Sequence, residues 1–153
     1  MPSNPLLQRR LYQPGADFNQ RAVPVSRQPQ RNWFRVHQSG SPAIQFGIRP
    51  HHRFSHANCP FPLLYVGSSL SACLWEYFGD EVFDGERVIS AGKWNGCSLS
   101  QIRVPQLKTC AISLAATRSA MGVDKASLLA ADISIPQAWG LAVQQHPASF
   151  EAL

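Results

Sequence analysis

Pro62 and Gly67 bracket a run of four apolar residues, Leu63-Leu64-Tyr65-Val66, and three residues later the periodicity changes. A short apolar run closed off by proline and glycine reads as a buried strand. From Leu70 to Phe78 the apolar positions are 70, 73, 74, 77 and 78, the spacing of one helical face. Ser68 or Ser69 can cap that helix, because a hydroxyl there accepts one of the orphan amides of its first turn. Gly79 is read as its end. Glu76 falls off the apolar stripe, near its edge.

Other elements are arranged around this strand and helix. Asn32-Trp33-Phe34-Arg35-Val36-His37 is aromatic and β-branched, and predicts a strand. Residues 38–62 hold Gly40, Pro42, Gly47, Pro50, Pro60 and Pro62 and predict turns. Residues 79–99 read as a long excursion with a strand at Arg87–Ser90. Gln101–Val104 and Leu107–Leu114 read as strands broken at Pro105, and 124–131 as a short helix. Ile135–Gln145 reads as a further helix, opened by Pro136 and ended before Pro147. No internal repeat is visible. Strands, helix, strands, helix is the order of an α+β domain.

The chain has 153 residues, 44% of them hydrophobic and 15% charged, which predicts one folded core rather than disorder. No run approaches the roughly 18–20 apolar residues of a membrane-spanning helix. The N-terminus lacks the apolar region of a secretory signal, so a soluble, cytoplasmic protein is expected. Cys59, Cys73, Cys97 and Cys110 are widely separated and form no C-x-x-C pair, so reduced thiols are expected.

Charge is uneven. Residues 1–60 carry eight arginines against Asp17 alone, whereas 61–153 carry six Lys or Arg against eight acids. The basic residues are scattered among Pro, Gln and Ser, with no Lys/Arg cluster or helical stripe. A small anionic ligand suits that distribution about as well as nucleic acid does. Residues 1–31, with five prolines and five arginines, are read as a loosely ordered basic arm, and 32–153 as the domain.

Several chemistries are excluded. There is no G-x-S-x-G, H-E-x-x-H, Walker A or G-x-G-x-x-G motif. His51, His52, His56 and Cys59 lie within nine residues, but their spacing fits no standard zinc ligand set, and no metal is expected. What remains is a sparse polar set in apolar surroundings: Arg53 in the loop before the buried strand, Tyr65 inside it and Glu76 on the helix. An arginine can grip a phosphate bidentately, a tyrosine offers a flat face with a polar tip, and a carboxylate can stabilise developing positive charge. Singly, each residue is more often an ordinary loop charge, core aromatic or helix-surface acid.

Their context narrows the choice. Trp33-Phe34-Arg35-Val36-His37, Pro42-Ala43-Ile44-Gln45-Phe46, Arg53-Phe54, Leu63-Leu64-Tyr65-Val66-Gly67 and Ala72-x-x-x-Glu76, in that order, resemble the RES domain family, which includes toxins of RES–Xre toxin–antitoxin pairs. The resemblance runs from Trp33 to the end of the chain and is densest over 33–80. It implies an ADP-ribosyltransferase-like split β-structure with flanking helices, and consumption of NAD as substrate by cleavage of its nicotinamide–ribose bond. The acceptor is water or phosphate (NAD glycohydrolase or phosphorylase), or a protein receiving ADP-ribose. Arg53 would contact the NAD phosphates, Tyr65 would line the nicotinamide or ribose pocket, and Glu76 would hold the ribose hydroxyl. Arg35 would be a supporting contact. The partner implied is an Xre-type antitoxin, with nucleic acid reached only through it, and a homo-oligomer is compatible.

The family serine on a closing C-terminal strand has no counterpart. The last helix is followed by His146-Pro147-Ala148-Ser149-Phe150-Glu151-Ala152-Leu153, of which 150–153 look like the beginning of that strand. A C-terminally incomplete RES-like domain is therefore expected. Two alternatives stand beside the enzyme. One is a catalytically degenerate RES-fold protein that only binds an antitoxin. The other is a nucleic-acid-binding module using Trp33, Phe34 and Phe54 near arginines.

Overall fold

The computed structural model describes residues 11–47, 51–58, 62–84 and 88–153. Among the described residues the fold is mixed α/β, with two small two-stranded sheets and several helices. The strands are β1 (Ser26–Gln28), β2 (Arg31–Gln38), β3 (Cys97–Val104) and β4 (Leu107–Thr109). The helices are α1 (Leu70–Asp84), α2 (Ala91–Asn95), α3 (Ala115–Met121), α4 (Lys125–Leu128) and α5 (Ser134–Gln144). β2 pairs with β3 and β1 with β4. Where composition predicts one core, the residues divide into two compact units, each with its own apolar cluster.

The first unit comprises the described residues of 1–27, 48–61 and 108–153. Its core is Phe18, Val23, Cys110, Met121, Val123, Leu128, Ile135, Trp139, Val143 and Phe150 with their small neighbours. Trp139 is held twice: its ring meets Phe18 edge-on at 5.3 Å, and its Nε1 donates to the Tyr12 carbonyl at 2.8 Å. His146 closes the same side. Its Nε2 donates to the Arg21 carbonyl at 3.1 Å while Nδ1 accepts from the Ala148 amide at 3.1 Å, and its ring lies against Phe18 and Phe150. Residues 11–28, expected within a loosely ordered arm, thus contribute Phe18, only 2% exposed, to the core. The signal was one aromatic residue without periodicity, which only partners distant in sequence could turn into an anchor. Arg9 and Arg10 lie outside the described residues.

Local chemistry sets the helix ends of this unit. Gly122, at φ +75°, closes α3 in the left-handed conformation that side chains disfavour. The Asp124 carboxylate caps α4 by accepting from the Ser127 amide at 2.7 Å. The Asp132 carboxylate accepts from the Ser134 amide at 3.0 Å. Bonds from the Ser134 side chain and backbone hold it below the usual carboxylate range. The expected helix over 124–131 is the short α4, and α5 matches the Pro136-opened helix to within a residue at each end. The last residues lie along β4: Ala152 bridges Thr109 in parallel sense, and the Cys110 amide donates to the Ala152 carbonyl at 2.9 Å.

The second unit comprises Gln28–Gly47 and Pro62–Leu107. β2 and β3 pair in antiparallel register over eight positions, from Arg31 with Val104 to Gln38 with Cys97. Phe34 and Val36 pack with Cys73, Leu74 and Phe78 of α1, so strand alternation turns Arg35 and His37 to the opposite face. Three consecutive residues, Arg35, Val36 and His37, are buried, so both faces of this stretch are covered. Ser69 caps α1 by accepting from the Ala72 amide at 3.1 Å, as one of the two expected positions requires. The helix runs past Gly79 to Asp84, since a glycine inside a packed helix costs only about 1 kcal/mol.

Leu63–Val66 is not a regular strand. It makes isolated bridges only, Leu63 with Gly47 and Gly67 with Phe34. A Cβ on Gly67 would stand 2.9 Å from the Cys73 amide nitrogen, so the close pass of this segment under α1 requires glycine. The expected strand at 107–114 is cut to β4, and α3 follows it. Of the expected strand at Arg87–Ser90, residue 87 lies outside the described residues and 88–90 carry no ladder; Ser90 instead caps α2.

Two outcomes follow. Phe18→Ala removes an aromatic ring from a closed core and is expected to cost about 3 kcal/mol or more in chemical denaturation. It should also speed proteolysis between residues 11 and 28 at native pH. Cys110 is fully buried, and burial pushes its thiol up from 9.0 to about 11. The unfolded thiol ionises near 9.0 while the folded one stays protonated, so this contribution to stability is complete below pH 9. It declines as pH rises from about 9 towards about 11, and Cys110→Ala should remove that part of the slope in denaturation curves.

Candidate functional site

Arg53 sits in the first unit, on a loop fixed at three consecutive residues. The His52 carbonyl accepts from Gln137 Nε2 at 3.1 Å. Arg53 Nη1 donates to the Ala130 carbonyl at 2.9 Å and more weakly to Leu128 at 3.5 Å. The Phe54 backbone lies so close to α5 that a Cβ on Gly140 would collide with its carbonyl oxygen. The loop is therefore held against α4 and α5 by backbone contacts, and Ser55 just beyond is 1% exposed. The carbonyls that Arg53 satisfies are those left open where α4 ends. Only Nη1 is so engaged; among the described residues the Nε–Nη2 edge, the side a planar guanidinium uses for bidentate contacts, meets no partner.

Arg35, Tyr65 and Glu76 sit in the second unit. Arg35 is 8% exposed, and its Nη1 donates to the Ala43 carbonyl, which draws the 39–47 turn over its face of β2. Tyr65 is half-buried between the two isolated bridges, its hydroxyl oxygen enclosed. Glu76 is exposed on α1, in keeping with its position off the apolar stripe. An open groove of about 520 Å³ on this unit is lined by Leu70, Ser71, Leu74, Trp75, Phe78 and Ile89, and by none of the four residues.

No group of three metal-binding side chains converges among the described residues, and His56 Nδ1 accepts from the Asn58 amide at 3.0 Å. Cys59 lies outside the described residues. Trp33 carries the Arg31 guanidinium over its ring at 3.9 Å, so one of the faces expected for base stacking is already taken. No helix among the described residues is long and apolar enough to cross a membrane.

The sequence reading did not single out a second polar set on β2 and β3. His37 Nε2 lies 2.9 Å from Ser100 Oγ, and His37 Nδ1 lies 3.1 Å from the Gln38 carbonyl. Polar residues recur along both strands, so the sequence does not mark these two, and their proximity depends on strand register. No family model, curated protein or solved structure matches the chain.

Arg53 has a structural load independent of any ligand. Arg53→Met should leave the buried end of α4 with an unanswered carbonyl at Ala130 and cost about 1–3 kcal/mol in urea denaturation. Arg53→Lys, a point donor without the planar fork, should recover only part of that loss.

Proposed function

We propose that the chain is an NAD-consuming enzyme of the RES type, with an ADP-ribosyltransferase-like fold, that cleaves the nicotinamide–ribose bond. The ordered motifs between Trp33 and Glu76 supply the reading. The single structural observation that carries it is the way Arg53 is held. Nη1 is anchored on the Ala130 carbonyl, which fixes the guanidinium plane and leaves the Nε–Nη2 edge for a dianionic pyrophosphate.

The chemistry asks little of the protein in proton transfer. Nicotinamide leaves as a neutral ring from a cationic linkage, so no general acid is needed. The ribose has to be oriented, and the positive charge that grows on it as the bond breaks has to be stabilised. Glu76 is the carboxylate assigned to that charge and to a ribose hydroxyl, and its exposure on α1 makes it accessible to a ligand. Tyr65 is assigned to the ring pocket and Arg35 to a supporting contact. The acceptor is water, phosphate or a protein side chain. The regulatory partner is an Xre-type antitoxin. The exposed Trp75 and Leu70 of α1, at the apolar groove, are a surface suited to such a protein.

The test is NAD consumption by the purified chain, followed by release of nicotinamide. Glu76→Gln keeps size and removes charge, and should lower turnover by about 10²–10³-fold, the scale of a lost electrostatic stabiliser. Glu76→Ala and Arg53→Ala should each abolish NAD loss and relieve growth inhibition on expression. Growth inhibition that survives both substitutions overturns the proposal.

A further inference from the structure

The His37–Ser100 pair lies wholly within the second unit and has no part in the NAD chemistry above. His37 is 8% exposed, and its ring is fixed at both nitrogens. The roles of those nitrogens follow from their partners. A carbonyl oxygen can only accept, so Nδ1, 3.1 Å from the Gln38 carbonyl, carries the hydrogen. In the neutral ring Nε2 is then the lone-pair nitrogen, and the Ser100 hydroxyl at 2.9 Å is its donor. The alignment is that of a nucleophile, a base, and a group that orients the base, here supplied by a backbone carbonyl.

The surroundings add two further elements. Ser100 is half-buried in β3, so it stands on a paired strand with part of its surface in solvent. In the β2–β3 register Ser100 is the partner of Arg35, so the two side chains project from the same face of the ribbon. A buried guanidinium on that face is an electrostatic counterpart for an oxygen that becomes negative beside Ser100.

We infer that Ser100 is a nucleophile activated by His37, and that the pair performs acyl transfer on a small activated ester. Ser100 Oγ attacks the carbonyl carbon and its proton passes to His37 Nε2. As the tetrahedral species collapses, the C–O bond to the leaving group breaks, and His37 returns that proton to the departing oxygen. Water then attacks the Ser100 ester and gives a proton to Nε2. That proton passes to Ser100 Oγ as the acid leaves. The net reaction is ester plus water to acid plus alcohol, with no redox change.

The experiment treats the purified full chain with a fluorophosphonate probe and locates the adduct by mass spectrometry. The Oγ–P bond forms as the P–F bond breaks, and the serine proton leaves through His37. The expected result is one adduct per chain, on Ser100, absent in Ser100→Ala. In a folded His37→Gln variant labelling should slow by about 10²-fold or more, the range of general-base assistance. If that variant does not fold, the wild-type labelling rate is followed against pH alongside the His37 ring signal in NMR. The two curves should share one midpoint. No adduct, an adduct spread equally over Ser39, Ser98 and Ser100, an unchanged rate in folded His37→Gln, or a rate that does not follow the His37 signal would each overturn the inference.

Discussion

The eight-pair antiparallel ladder between β2 and β3 is the constraint on which the second unit depends. A one-residue slip would move every side chain of β2 to the other face. In the observed register Phe34 and Val36 meet Cys73 and Phe78, and the sulfur of Cys73 donates to the Phe34 carbonyl at 2.9 Å. That seats α1, with its Ser69 cap, on one face. The same register collects Arg35, His37 and Ser100 on the other, where Arg35 ties the 39–47 turn to β2 through the Ala43 carbonyl. Apolar packing and polar clustering are thus two consequences of one pairing choice.

The first unit solves a different problem. Its helices are short, and isolated helices of four to eleven residues are not stable by themselves. Stability comes from anchors that join segments far apart in sequence. Trp139 reaches Tyr12 and Phe18, His146 reaches Arg21, and Arg53 reaches Ala130. Most of these bonds run from a side chain to a backbone carbonyl, so they satisfy polar groups that a loop-rich core would otherwise leave buried and open. Arg53 is in this sense both a structural clamp and a candidate phosphate ligand.

The legible parts of the sequence were those governed by local rules. β2 was readable from its aromatic and β-branched run, α1 from its period and cap, and α5 from Pro136. The continuation of α1 beyond Gly79 was not readable, because packing of Phe78 outweighs a weak glycine penalty. Leu63–Val66 read as a strand from its composition, yet its neighbours leave only two bridges to form. Among the candidate site residues, the exposed position of Glu76 followed from helical period. Neither the carbonyl anchoring of Arg53 nor the His37–Ser100 contact had any local signal, since their partners lie 77 and 63 residues away.

By itself, the order of residues determined the class of fold, the capped start of the main helix, and the short list of groups able to do chemistry. Those depend on neighbours within a few positions, where backbone geometry and side-chain period are decisive. Tertiary structure alone decided that the apolar residues form two clusters, that Phe18 belongs to one of them, and which polar atoms meet. Such contacts arise only when long loops close and strands choose a register. Those steps are governed by burial of distant surfaces against one another, a quantity that no stretch of adjacent residues contains.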